Sequence, residues 1–286
     1  MKSKRPVAPA ILRSPLPRKP RYPARVSPRV RRALVRSAIA AAAVAIGIGS
    51  TIGVALYVTF DGVAPLEDGR RVGPAVTVVD GYVACYLLDA GDGTVALIDA
   101  CADPEGVALL AALDRAGRGP RDVVAVLMTH GHADHRGGIP LFERARIYAH
   151  QDELPLLRGE VAAQGPIPQL DGRMAPVAVS DVVHDGDELT IGALRVRVFH
   201  LPGHTAGSVA YRVDDTLFLG DNAHGMETGE MEPAPWVFSD DVDANVASLR
   251  ALPARLDEAG VVVARLVFGH SAPLEGREPL WDFASR

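Results

Sequence analysis

The sequence predicts an α/β fold: two β-sheets with helices outside them, preceded by one apolar helix near the N-terminus. Three observations carry this. Short strand-like runs recur in groups through residues 73–286, and two amphipathic helical stretches are interspersed among them. The segment Ser37–Phe60 contains no charged residue. The charge balance also reverses along the chain: residues 1–36 hold twelve Lys/Arg and no Asp or Glu, which leaves 18 basic and 35 acidic groups in the remaining residues.

The chain of 286 residues is long enough to bury a substantial core, and 48% apolar with 23% charged residues is an ordinary globular composition. Residues 1–36, rich in Arg, Lys and Pro, show no hydrophobic period and read as a disordered tail. Residues 37–60 follow as a candidate transmembrane helix or signal-anchor. Their 24 positions reach roughly 36 Å as a helix, against a bilayer core of about 30 Å. The basic flank places the tail in the cytoplasm and everything after Phe60 outside it. Two alternatives stay open: a cleaved secretory signal, and export through Arg31-Arg32-Ala33-Leu34-Val35-Arg36, which loosely resembles a twin-arginine signal. Residues 61–72 read as a tether.

In the body, Val76–Val79, Val83–Asp89 and Thr94–Asp99 read as strands, with Ala90-Gly91-Asp92-Gly93 as a turn. Asp103-Pro104-Glu105 reads as a helix start, with Val107, Leu110 and Leu113 as its buried stripe. Val123–Met128 is a buried strand. Asp187–Ile191, Leu194–His200, Val209–Val213 and Thr216–Leu219 are successive strands, Asp241–Leu256 is a helix and Arg265–Phe268 a last strand. Cys85 and Cys101 are the only cysteines. They are either a disulfide across a hairpin or two small buried apolar residues. The acidic body argues against nucleic acid as a partner, because a phosphate backbone needs a positive surface.

Thr129-His130-Gly131-His132-Ala133-Asp134-His135 closes the Val123–Met128 strand. Three imidazoles and a carboxylate within six residues suit zinc and its first-row neighbours. Pro202-Gly203-His204-Thr205, Gly220-Asp221 and Gly269-His270 each follow another strand. Their common placement at strand ends gathers five His and two Asp at one edge of the fold, enough for two metal ions. His150 and His184 read as ordinary polar positions, and His200 as packing beneath the His204 loop.

With these motifs in order, the sequence resembles the metallo-β-lactamase-fold hydrolase superfamily over roughly residues 73–286. The resemblance implies a four-layer αββα sandwich with the site at one edge between the sheets. It implies that His130, His132 and His204 hold one metal, that Asp134, His135 and His270 hold a second, and that Asp221 bridges both. The implied cofactors are two divalent ions, Zn²⁺ first, with Mn²⁺ or Fe²⁺ as alternatives. The implied chemistry is attack by a metal-bridging hydroxide on a small-molecule carboxylic ester, lactone or thioester, with Asp134 able to hold a proton. Asp99 is expected either to orient a ligand or to cap the helix that follows, with Thr129 and Thr205 as further supports. His224 and Trp236 are candidate pocket residues, within the candidate lips 159–176 and 222–240.

Family members that are true β-lactamases generally lack the bridging Asp, which makes that activity the lesser reading. A dedicated glutathione-thioester site is not expected, since relatives with that activity carry a helical domain after the last His ligand and 16 residues follow His270 here. A non-hydrolytic redox or sensor relative is the rival reading. Nothing in the sequence specifies an oligomeric state.

Overall fold

The computed structural model describes residues 28–165 and 175–286. Residues 1–27 of the expected tail and 166–174 of one expected lip lie outside the described residues. The chain divides into two compact units, Met1–Thr51 and Ile52–Arg286. Helix α1 (Pro28–Phe60) begins nine residues before the charge-free run, so it takes in the end of the segment read as disordered. No helix among the described residues is long and apolar enough to cross a membrane. The crossing expected over 37–60 therefore stays an expectation.

Two sheets form the second unit. The first contains β1 (Arg71–Val72), β2 (Ala75–Asp80), β3 (Val83–Gly91), β4 (Thr94–Ile98), β5 (Val123–Leu127), β6 (Arg146–His150) and β7 (Asp181–Val183), side by side in chain order. The second contains β8 (Glu188–Ile191), β9 (Leu194–His200), β10 (Val209–Val213) and β11 (Thr216–Gly220), then β14 (Arg265–Phe268) and β15 (Leu274–Glu275) beyond β11. Between β11 and β14 the chain makes a separate ribbon of β12 (Ala223–Gly225) and β13 (Met231–Pro233). Parallel pairing occurs at β4–β5, β5–β6, β6–β7 and β11–β14.

The layers follow from which residues bury together. Tyr86, Leu88, Ile98 and Leu127 of the first sheet meet Val196, Val198, Tyr211 and Phe218 of the second in one dry interface. On the outer face of the first sheet, Leu97 and Val126 pack with Leu109 and Leu113 of α2 (Val107–Arg115). On the outer face of the second, Leu217 and Leu266 pack with Leu249, Leu252 and Leu256 of α5 (Val242–Glu258) and Leu280 and Phe283 of α6 (Glu278–Ser285). The order is helix, sheet, sheet, helix. Two further helices, α3 (Ala133–Arg136) and α4 (Leu154–Leu157), are single turns, and Leu157 of α4 joins the outer cluster of the first sheet.

Two expectations change in detail, and one open alternative is decided. The helix read from Asp103 begins at Val107, because the Asp103 carboxylate accepts the Glu105 and Val107 amides in a tight turn and Gly106 sits at φ +60°. Its buried side is Leu109, Ala112 and Leu113, while Val107 is exposed. Residues 61–72 are not a loose tether. Val63 bridges to Met226, the Ala64 amide donates to Gly225 O, the Ala272 amide donates to Ala64 O, and β1 pairs with β2. Finally, Cys85 and Cys101 are bonded, a buried disulfide with its Cα atoms 5.3 Å apart.

Candidate metal centre

Each site residue stands where a strand runs out. The loop after β5 carries His130, His132, Asp134 and His135; the loop after β9 carries His204; Asp221 follows β11 and His270 follows β14. Strand carboxyl ends open into a crevice, and these come from both sheets, so the loops converge at their shared edge.

The structure brings all seven together. His130, His132 and His204 form one set whose ring nitrogens can hold an ion; Asp134, His135 and His270 form another. Within the first set His204 Nε2 is 3.1 Å from His132 Nδ1. Within the second, His135 Nε2 is 3.4 Å and Asp134 Oδ2 3.3 Å from His270 Nε2. Ligand atoms about 2.0–2.1 Å from a tetrahedral ion are about 3.3 Å apart, so these spacings fit an ion in each set. Asp221 lies between the sets. Its Oδ2 is 3.9 Å from His130 Nε2, 3.7 Å from His204 Nε2 and 3.0 Å from His270 Nε2, and its Oδ1 is 3.3 Å from His135 Nε2.

The backs of the rings determine which nitrogen faces the site. His135 Nδ1 donates to Asp99 Oδ2 at 2.9 Å. Asp99 also accepts the Thr129 amide and hydroxyl, both at 2.7 Å. The Thr129 hydroxyl, having donated to Asp99, accepts from His130 Nδ1 at 3.0 Å. Ser239 Oγ donates to Pro235 O at 2.8 Å and so accepts from His204 Nδ1 at 3.2 Å. His270 Nδ1 donates to Tyr82 O at 2.8 Å. These bonds keep Nδ1 protonated in four rings and aim Nε2 at the site, bare in His130 and His204, and carrying a proton toward Asp221 in His135 and His270 that a metal ion would displace.

Two buried atoms mark the space: His130 Nε2 and Asp221 Oδ1 make no hydrogen bond among the described residues. A Cβ on Gly269 would stand 2.1 Å from Asp221 Oδ1, so glycine there keeps the centre open. A buried imidazole nitrogen with no hydrogen bond, beside a carboxylate oxygen whose neighbour is the His135 imidazole, fits divalent ions of the zinc, manganese or iron kind.

Electrostatics separate the sets. Burial holds His130 and His132 well below the usual imidazole range and pushes His204 down to about 4. Burial also opposes charge on His135 and His270, but nearby carboxylates outweigh it. Asp221, Asp134 and Asp99 hold His135 well above its ordinary value, and Asp221 and Asp134 push His270 up to about 10. In return, against burial, His135 and His270 hold Asp221 well below the carboxylate range and Asp134 down to about 2.

The expected supports fare differently. Asp99 orients His135 directly and His130 through Thr129. Among the described residues Thr205 makes no hydrogen bond to a ring of the two sets; its hydroxyl donates to Glu153 at 2.8 Å. His224 is buried on β12, its Nδ1 without a hydrogen-bond partner among the described residues. Trp236 is 51% exposed on the segment that ends at Ser239. His200 donates from Nε2 to Ala206 O, beneath the His204 loop. Sequence reasoning missed Ser239, the Tyr82 carbonyl, Glu153 and Asn245, whose side chain links Ala234 to Asn222 beneath Asp221. None of the four carried a sequence signal, Glu153 included, because the strand it follows was itself not read.

A family profile described as the metallo-beta-lactamase superfamily matches residues 78–270. The acyl-coenzyme A thioesterase MBLAC2 of Gallus gallus is 30% identical over 77% of this chain and 79% of its own length. A hydroxyacylglutathione hydrolase of Rhodopseudomonas palustris (strain BisA53) is 32% identical over 59% of this chain, which spans 57% of that protein. Among solved structures, a metallo-beta-lactamase family protein from Thermus thermophilus matches with a TM-score of 0.57 and 25% identity, covering 74% of this chain and 77% of that one. The subclass B3 metallo-beta-lactamase BJP-1 of Bradyrhizobium japonicum matches at 0.55 and 20% identity over 78% and 91%, a likeness of fold.

Proposed function

Because this chain belongs to the metallo-beta-lactamase superfamily, we propose that it is a membrane-anchored, di-metal hydrolase that cleaves a carboxylic thioester. The observation that carries the hydrolase reading is Asp221, whose two oxygens lie 3.0–3.9 Å from imidazole nitrogens of both sets. Among ester, lactone and thioester, two sequence relatives favour the thioester: one is named an acyl-coenzyme A thioesterase, the other a hydroxyacylglutathione hydrolase.

In this reading His130, His132 and His204 hold one ion, Asp134, His135 and His270 hold the other, and Asp221 is shared. Bound there, two divalent ions supply a water of lowered pKa and a Lewis acid for the developing oxyanion. The chain supplies the rest. Asp221, facing imidazoles of both sets, would offset part of the charge of the ions they hold. Asp99 and Thr129 keep His130 and His135 in the ligand tautomer, as Ser239 does for His204. Asp134 is 17% exposed at the open side of the centre, where its Oδ2 faces His270 Nε2 and its carboxylate would add negative charge to the second ion's ligands. Tyr82 stacks on His270 with ring centroids 5.6 Å apart and shields that ligand from water.

The anchor reading rests on the charge-free run after the basic tail and on the disulfide, which persists in an oxidising compartment outside the cytoplasm. Protease added to intact spheroplasts should digest the body, and full protection would overturn the topology. For catalysis, the test is metal analysis followed by assay of acyl-coenzyme A, acylglutathione, simple ester, lactone and β-lactam substrates. Two ions per chain are expected, with thioester turnover that chelation abolishes and Zn²⁺, Mn²⁺ or Fe²⁺ restores. Preference for another bond would sink the thioester reading. Two bound ions with no turnover of any substrate would favour a sensor.

A further inference from the structure

Glu153, at the end of the 3-10 turn Gln151–Glu153 after β6, is a carboxylate only 1% exposed. Its Oε1 accepts the Gly131 amide at 2.5 Å. Its Oε2 accepts the Thr205 hydroxyl and the Gly207 amide, both at 2.8 Å. Gly131 lies between His130 and His132, and Thr205 follows His204. One side chain therefore grips both loops that carry the first histidine set; the loop after β5 also carries Asp134 and His135, but these lie in the α3 turn, where Asp99 and the Ala100 amide hold His135 independently. None of its three hydrogen bonds goes to the loops of Asp221 or His270.

The two glycines show how closely the loops approach. A Cβ on Gly131 would stand 2.9 Å from Glu153 Oε1 and 3.2 Å from two Leu156 carbons. A Cβ on Gly207 would stand 2.3 Å from the Glu153 nitrogen and 2.6 Å from its Cβ. Neither residue has a positive φ, so glycine is required here for room. Gly203 likewise admits the Asn245 backbone from α5, which braces the His204 loop from its other side.

We propose that Glu153 is a positioning residue for the set His130, His132 and His204, fixing by its hydrogen bonds the spacing between the two loops that carry it. The proposal rests on the reading of that set as a metal site. Removing the carboxylate leaves two peptide N–H groups buried without an acceptor, and the loops lose their common reference. The centre of negative charge also stays one peptide unit behind three neutral imidazoles, where it favours a cation among them. Charged or titratable groups facing Glu153 are Asp240, from the segment before α5, and the Tyr211 phenol of β10. Burial first, with Asp240 adding and the three hydrogen bonds opposing, pushes the Glu153 carboxyl up to about 7.

The test titrates Zn²⁺ into the metal-depleted full-length chain against a chromophoric chelator, with H204A and H270A assigning the two binding steps. E153Q keeps the shape but turns an NH₂ group toward a peptide N–H. It should weaken the first step about 10–100-fold, as loss of a ligand's hydrogen-bond support does, and leave the second within about threefold. Wild-type affinity at the first step should fall as pH drops through about 7, and E153Q should lose that dependence, since burial keeps the three imidazoles from protonating there. T205V, which removes one of three donors, should weaken the same step by less, and it carries the test if E153Q does not fold. An unchanged first step, equal weakening of both steps, or an unchanged pH dependence overturns the proposal. A wild-type chain that binds no ion overturns the hydrolase reading as well; one that binds two, with E153Q and T205V indistinguishable from it, overturns this proposal alone.

Discussion

His130, His132 and His204 are fully buried neutral imidazoles, at least two of them backed by hydroxyl groups, whereas Asp134, His135 and His270 form an ion-paired set open to solvent at Asp134 and His270. Each would hold one ion, but they wait for it in different states. The first set has lone pairs and no charge of its own to lose. The second is already satisfied by internal ion pairs and must give up protons before a cation can enter. Similar ligand chemistry can therefore be held ready in two ways, by desolvation on one side and by charge pairing on the other, with Asp221 belonging to both.

Removing that shared group should have the largest effect. D221A should lower kcat by orders of magnitude and empty at least one site, read by steady-state assay and metal analysis. Retention of both ions with near-normal turnover would break the bridged arrangement. Next, H204A should weaken the first binding step and H270A the second, each by at least about tenfold with the other step little changed. Matching losses in both variants would mean the sets are not separable.

The pH dependence of metal-free stability sharpens the contrast further. His270 is raised to about 10 in the fold, against about 6.5 when free. The stability it contributes is therefore complete below about 6.5 and is lost as pH climbs toward 10. His204 is depressed to about 4, so it costs stability as pH falls from about 6.5 toward 4. The melting temperature of the metal-free chain should fall on both sides of about pH 6.5. H270A should flatten the alkaline limb and H204A the acidic one. The reverse assignment would overturn the electrostatic distinction.

The smallest effect on affinity concerns the disulfide. Its two ends lie beside the second set: Ala84 donates to Gly269 O, and the Ala100 and Gly137 amides tie the Cys101 segment to His135 and its helical turn. Replacing both cysteines by Ala should weaken the second binding step a few-fold and leave the first unchanged. It should also lower stability by roughly 3 kcal/mol for a loop of this length, checked by urea unfolding.

Much of this architecture is legible in the sequence, for reasons visible residue by residue. β9 and β14 occupy the expected residues, and β3 and β11 run at most two residues longer, because alternating or continuous apolar runs end in glycine, aspartate or, for β9, a histidine just before Leu201-Pro202. The seven site residues stand out because each sits in a short motif just past a strand. β6 was missed because Arg146–His150 has an exposed charged residue at one end and a histidine at the other. α6 was missed because its eight residues bury only Leu280 and Phe283. Ser239 lies 35 positions from His204, and the Tyr82 carbonyl 188 from His270. A backbone oxygen has no residue type, and a serine that distant has no spacing to read. Glu153 shows the same limit: its partners are two backbone amides and a hydroxyl on loops that only the closed fold makes neighbours.

The strap at residues 62–66 decides where this chain can be shortened. A fragment cut at the edge of the family match, residue 78, would lose β1 and half of β2, and with them the bridge from Val63 to Met226. It would also uncover the Gly225 carbonyl and the Ala272 amide, both now satisfied by Ala64, beside the ribbon that follows Asp221. A secreted or recombinant body that keeps its shape should therefore begin no later than Asp61, and a cut only a few residues further on would trade a clean domain boundary for a frayed catalytic rim.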